Sequence, residues 1–423
     1  MTELRQGYGR QAMRPISPMA AAILLGAAAF AGCTVSEVIA PEETALSVAS
    51  LNVAESLLLD VGIVNFDDGI PEKNDPVKTG IYPEVRMAEA RYIPYHLKNT
   101  MQGTGFWGAV RVIPSRYVFT DVTVSGVIKQ SDGEFVALRV RVEDALGREW
   151  YEREYSMQTG IISYAEGRDR TQDPYQKVIN DIANDLHAYA ATLKPEDIRR
   201  MQQVSELRFF GDMVPGAFGE YLETDNKGMV SVVRLPAEND PMVDRLRQVR
   251  ERDRLVIDTL NEHYANFYYG IALPYEGWRK TAREQSIQYR QAKRSAAMRA
   301  LLGVVVVAGS MQIDTSGSHS SAKQATQFVG IDRGMRAIYE AWGMRSAANI
   351  HRENIRELSE SFVSEAAPLV IQVEGESRRL TGTAESQYES WRKLLKEIYQ
   401  SETGFSQEVD LGVPARSAEQ PAG

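Results

Sequence analysis

The chain has 423 residues, 43% of them hydrophobic and 25% charged, which is the balance of a globular protein and excludes a disordered or collagen-like one. Its formal charge of −9 argues against a nucleic-acid binder, which would carry basic stripes, and against simple adhesion to anionic lipid. The length predicts about two to three domains.

The first residues have the parts of an export signal. Arg5, Arg10 and Arg14 outweigh Glu3, and an uncharged run follows from Met19 to Phe30. A bilayer-spanning helix needs roughly 20 apolar residues, so this run is too short to span and fits a signal-peptide core. Phe30-Ala31-Gly32-Cys33 then resembles the lipobox of bacterial lipoproteins, with Phe30 where leucine is usual. That resemblance implies a signal peptide over 1–32, cleavage before Cys33, and lipid on the thiol, detectable with palmitate. The competing reading is a plain secretory signal beside a chance cysteine. Against it, Cys33 is the only cysteine in the chain, so it has no internal disulfide partner after export. Two or three acyl chains anchor firmly, at about 0.8 kcal/mol per buried methylene. Thr34 is not the aspartate that commonly retains lipoproteins in the inner membrane. The resemblance therefore implies the periplasmic face of an outer membrane. Loss of the signal's arginines leaves the mature chain more acidic.

Residues 33–48 read as a polar tether, and 49–196 as an α/β domain. Leu57 to Phe66 is an apolar strand closed by the turn Asp67-Asp68-Gly69. Residues 83–101 read as a helix that Pro94 should kink or split. Gly103-Thr104-Gly105-Phe106-Trp107-Gly108 is a loop, and 109–114 a second strand. In Asp121–Lys129 the residues Val122, Val124, Gly126 and Ile128 share one face. Asp132-Gly133 suits a hairpin turn. Val136, Leu138, Val140 and Val142 then alternate with Arg139 and Arg141, which predicts an antiparallel meander with one wet face. Tyr175 to Leu193 closes the domain as a helix, with Val178, Ile179, Ile182, Leu186, Tyr189 and Leu193 on one side.

The order strand, helix, strand, meander, helix over about residues 50–195 resembles the small α/β domain of periplasmic accessory proteins. These include the N-terminal domain of the TolB translocation protein, lipoprotein activators of penicillin-binding proteins and the curli-export lipoprotein CsgG. The stretches LLLDVGIVNFDDG, GFWGAVRVIPS and DVTVSGVIKQSDGEFVALRVRVEDALGREW carry the resemblance. It implies an interaction module.

Residues 197–240 read as a connector and 241–366 as a helical domain. Asp240-Pro241 starts a helix. Val243, Leu246, Val249, Val256, Leu260, Tyr264 and Phe267 continue it, with a break in the stripe at Arg252-Asp253-Arg254. Pro274 and Gly277 should end or bend it, before a charged helix over 278–300. Ala300 to Ile313 carries no charge. A Ser-rich loop at 315–322 should let it pack against a following helix of small residues. Gly303, Gly309, Gly330, Gly334, Ala337 and Ala341 are the candidates for close helix approach, within a core hairpin, between subunits or at a membrane. A hairpin and a final helix over 367–402 follow, the helix presenting Tyr388, Trp391, Leu394, Leu395, Ile398 and Tyr399. Residues 403–423 read as a disordered tail. The fold class is α+β.

None of His96, His187, His263, His319 and His351 sits in a zinc pattern, and no metal or cofactor is expected. Asp67-Asp68-Gly69 lacks the calcium-loop pattern and reads as a turn. The loop at 103–108 has the spacing of a dinucleotide fingerprint, but a helix precedes it and a strand follows, the reverse of what pyrophosphate binding needs. Phe106 and Trp107 remain candidate partner contacts, with Trp107 capping the core as the plainer reading. No Gly-x-Ser-x-Gly elbow occurs. The expected function is a non-catalytic envelope lipoprotein, an accessory or assembly protein that binds a protein partner or itself. The alternative is an envelope hydrolase with a site assembled across the fold. A buried cluster of His, Ser and acids in a pocket would favour the enzyme, and an exposed apolar patch the binder.

Overall fold

Five strands form the central sheet: β1 (Val61–Val64), β2 (Val110–Ile113), β3 (Val122–Ser131), β4 (Phe135–Asp144) and β5 (Glu149–Gln158), in the order β2-β1-β3-β4-β5. The computed structural model describes residues 44–50, 53–115, 118–160, 162–165, 167, 172–310, 356–357, 369–373 and 376–403. Cys33, the Ser-rich loop at 315–322, Gly330, Gly334, Ala337, Ala341 and the tail from 404 on lie outside them. β1 runs parallel to β2 and β3, and β3, β4 and β5 form the antiparallel meander. A parallel pair needs a crossover. Helix α1 (Pro83–Gln102) supplies it between β1 and β2, and α2 (Gln176–Ala190) follows the meander. The mixed architecture is the α+β class expected.

Alternation decides the faces of β4. Val136, Leu138, Val140 and Val142 are buried, while Arg139 pairs with Glu152 and Glu154, and Arg141 with Glu143 and Glu149, on the wet side. β1 is shorter than the expected 57–66, because Glu55–Leu57 form a single 3₁₀ turn. Pro94 neither breaks nor splits α1. Proline cannot donate to the carbonyl four residues back. That carbonyl, Ala90 O, instead accepts Phe66 N at 2.9 Å. A tertiary hydrogen bond thus replaces the missing helical one.

The second half departs from expectation in three ways. The connector holds a 19-residue helix, α3 (Pro195–Met213), which buries Met201, Val204, Leu207, Phe209, Phe210 and Met213. Its apolar residues were obscured by the charged Glu196, Asp197, Arg199 and Arg200. Pro274 and Gly277 do not end the next helix: α4 runs unbroken for 70 residues, from Pro241 to Ser310. Its N-cap is as read, with Asp240 Oδ1 accepting Met242 N at 2.9 Å. Finally, the described residues of the helical segment share the core of the sheet. Val243, Leu246, Val249, Leu260, Tyr264 and Trp278 belong to the same cluster as Ile63, Val112 and Leu138. The expected boundary at 241 is therefore a boundary of secondary structure, not of packing.

α4 closes the open edge of the sheet. Asn261 Oδ1 accepts Val112 N and Asn261 Nδ2 donates to Val112 O, both at 2.9 Å, so a side-chain amide takes the place of a neighbouring strand. Arg111 clasps Asp258 beside it, with contacts of 2.6 and 3.0 Å. The hairpin β6 (Leu369–Val373) and β7 (Glu376–Leu380) leads to α5 (Ala384–Thr403). α5 docks on α4 through buried Asp253, which accepts Trp391 Nε1 at 3.0 Å and Tyr388 OH at 3.2 Å. Arg392 and Lys396 both reach Asp212 of α3. Among the described residues no helix is long and apolar enough to cross a membrane.

Further along α4, Arg279 is 1% exposed and bonds Asp173 with both nitrogens, at 2.7 and 2.9 Å. Its guanidinium lies over the rings of Tyr275, Tyr175 and Tyr92. Gly133 in the β3–β4 turn has φ of 79°, and a Cβ there would lie 2.1 Å from Arg279 O. Glycine is thus required twice, by the turn and by the helix resting on it.

His96 of α1 ties three helices together: Nδ1 meets Tyr268 OH of α4 at 2.7 Å, and Nε2 meets Gln176 Oε1 of α2 at 2.9 Å. Burial lowers its pKa below 6.5, with Asp173 opposing and Arg279 reinforcing that shift. The neutral ring is the folded form. Its contribution is complete above the unfolded value of about 6.5 and is lost as pH falls through and below it. The melting temperature of the wild type should therefore fall more between about pH 7.5 and 5.5 than that of His96→Gln. Equal falls in calorimetry would show that His96 does not couple folding to protons.

Candidate functional site

The chain segments entering β1 and β3 lie side by side and bring two carboxylates together. Asp60 N donates to Asp121 Oδ2 at 2.9 Å, and Asp60 Oδ1 accepts Ala109 N at 2.9 Å. α3 and α4 cover this end of the sheet with opposite charge. Arg254 Nη2 reaches Asp60 Oδ2 at 3.0 Å. Ser205 Oγ donates to Asp121 Oδ1 at 2.6 Å and accepts Arg250 Nη2 at 2.9 Å. Arg250 Nη2 also contacts Phe119 O at 3.3 Å. At the rim Arg247 pairs with Glu206 and Arg254 with Glu251. The result is a cleft of about 500 Å³ between α3 and α4, with Arg199, Gln202 and Gln203 on the α3 side.

Burial sets the electrostatics of its floor. It raises the Asp121 carboxyl, with Ser205, the Asp60 N–H and Arg250 holding it down and Asp60's charge adding to the rise. It also lowers Arg250, helped by neighbouring Arg254 and opposed by Asp121, Glu206 and Asp60. The acid and the base stabilise each other's charged forms through Ser205. That hydroxyl is wholly buried with its proton directed at Asp121. It is a bridge between charges. The cleft offers a fixed pattern of donors and acceptors, in which matched pairs position one another.

Sequence reasoning missed these residues, because Asp60, Asp121, Ser205 and Arg250 are spread across the chain. The one signal was the break in the apolar stripe at Arg252-Asp253-Arg254. Asp253 receives α5, and Arg254 reaches the cleft.

The residues singled out in the sequence are elsewhere. Trp107 is 5% exposed and packs in the core, so it is no partner contact. Phe106 is half-buried and stacks on His187 with ring centroids 3.4 Å apart. His96 lies in the hub between α1, α2 and α4, and neither His187 nor His263 lines the cleft. His319 and His351 lie outside the described residues. Gly303 and Gly309 fall in the last turns of α4, and their expected packing partners lie outside the described residues. Among the described residues no group of three or more His, Cys, Asp or Glu is placed to hold a metal ion. No protein-family model, curated protein or solved structure matches the chain.

If the floor is built as described, Arg250→Met should cost about 3 kcal/mol in urea denaturation, because it strips a buried charge of its partner. Arg254→Met, at a partly exposed pair, should cost about 1 kcal/mol or less. Equal losses would mean that the two arginines sit in equivalent surroundings.

Proposed function

We propose that the protein is a cell-envelope lipoprotein, anchored by lipid on Cys33 to the periplasmic face of an outer membrane, that works as a non-catalytic accessory or assembly protein by binding a protein partner or itself. The length of α4 carries the assembly half of this reading. At 1.5 Å per residue its 70 residues reach about 105 Å, whereas the 10-residue strands β3, β4 and β5 span about 33 Å. α4 is docked as far along as Arg279, which pairs with Asp173, and Arg283, beside the β3–β4 turn. Residues 284–310 continue the helix by about 40 Å. A helix of that length gains most of its stability from packing, and its last turns hold the uncharged run that begins at Ala300. Association with a partner or a second copy through that uncharged run would add such packing. The lipid half rests on the leader and the lipobox-like Phe30-Ala31-Gly32-Cys33.

Both halves can be tested in intact envelopes. Cys33→Ser should abolish incorporation of labelled palmitate, and retained label would remove the anchor. Amine crosslinking should capture the wild-type chain in a larger species. Val305→Glu should deplete that species while the solubilised protein keeps its melting temperature. A wild type that stays monomeric, or a variant that crosslinks equally well, would contradict assembly through α4.

A further inference from the structure

The stretch expected to be a free tether is not free at its end. Asn180 Nδ2 donates to Thr44 O at 2.8 Å, Asn184 Nδ2 donates to Ala45 O at 2.9 Å, and Ser47 N donates to Asn184 Oδ1 at 2.9 Å. Ala49 N donates to Thr104 O at 2.8 Å, and Leu46 packs against the core. Two asparagines one helical turn apart on α2 therefore hold the chain by its backbone. Residue 44 is thus fastened to the body. If Cys33 carries lipid, only residues 34–43 separate the two. Even fully extended, the step from 33 to 44 reaches at most about 40 Å. Whatever faces the exit of this strap is held near the bilayer.

What lies near the exit is an exposed apolar pair. Thr44 connects to Asn180, Asn180 Oδ1 to Gln176 at 2.8 Å, Gln176 to His96 at 2.9 Å, and His96 to Tyr268 at 2.7 Å. The Tyr268 ring lies 5.2 Å from that of Tyr269. This path of short contacts is well inside the tether's reach. On α4, Tyr269 is 67% and Leu273 70% exposed, among the most exposed large hydrophobic side chains of the described residues. They lie one turn apart on one face. Between them is Gly270, where an added Cβ would meet nothing within 4 Å.

We propose that this face of α4, centred on Tyr269 and Leu273, rests on the lipid bilayer, so that the protein is attached at two points: the acyl chains on Cys33 and the apolar pair. The proposal rests on the lipoprotein reading given above. Its chemistry is interfacial: a tyrosine keeps its hydroxyl at the headgroups while its ring and the leucine enter the acyl boundary. Glu262 stands two turns before Tyr269, Glu276 one turn after Leu273 and Lys280 two turns after it, so the charge beside the pair is mixed and apolar burial makes the contact. The strap is what makes so small a patch sufficient, because the anchor keeps it at high local concentration over the membrane.

The test uses the full lipidated chain in vesicles of phosphatidylethanolamine and phosphatidylglycerol that carry a headgroup spin label. With Cys33 acylated, a single introduced thiol can take a fluorophore. The label at Leu273→Cys should be quenched several-fold more than one at Glu154→Cys on the wet face of the sheet. Asn180→Ala with Asn184→Ala, which releases the strap, should reduce that quenching while the protein still floats with the vesicles. Equal quenching at the two sites of a floating protein overturns the proposal and leaves the anchor standing. Failure to float overturns the anchor and the proposal with it. Disulfide capture between Leu273→Cys copies without quenching would assign the face to a second chain and overturn bilayer contact.

Discussion

The edge of β2 is where the structure is most constrained. A strand at the end of a sheet leaves its outward N–H and C=O groups without partners, and burying them unpaired costs about 1–3 kcal/mol each. Here Val112 is wholly buried at that edge, and Asn261 of α4 satisfies both its backbone groups. Val110 N is met likewise by Gln102 of α1. α4 is therefore required by the sheet, and the register of the long helix is fixed where it crosses β2. Everything else that α4 carries follows from that register: Arg250 and Arg254 over the strand starts on one side, Tyr268 and Arg279 toward α1 and α2 on the other.

The buried pair of Arg279 and Asp173 acts on the same helix, in a different way. Desolvating two charges offsets much of their attraction, so such a pair is weak as a source of stability. Geometry is what it contributes. Two nitrogens on two oxygens, inside a box of tyrosine rings, admit one placement of the helix against the loop before α2. Nearby Glu89 is similar in kind: burial raises its carboxyl, and Ser131 and Tyr275 hydroxyls donate to it. Hydrogen bonds from α3, α4 and the strand starts fix the cleft in the same manner.

Much of the first half was legible because period-two alternation has one consequence in space. Val136 to Val142 could only face inward once Arg139 and Arg141 faced water, and Asp132-Gly133 marked the turn. What was not legible depended on groups distant in sequence. Nothing local says that Phe66 N would satisfy Ala90 O and so let α1 run through Pro94. Pro274 and Gly277 suggested an end or a bend, yet the helix continues through both. The connector concealed α3, since its charged first turn masks the buried residues behind it. Phe106 and Trp107 drew notice as loop aromatics, and the core took one and His187 the other. The strap was invisible in sequence, because Asn180 and Asn184 read the backbone of residues 44–47 and not their side chains.

α4, as far as Arg279, and the sheet share one core and should open as one cooperative body. Hydrogen exchange across a urea series tests it directly. Amides of α4 between Val249 and Arg279 should exchange through the same global opening as those of β3 and β4, with the same dependence on urea. Exchange of that stretch through a separate, lower-energy opening, while the sheet stays protected, would contradict the account.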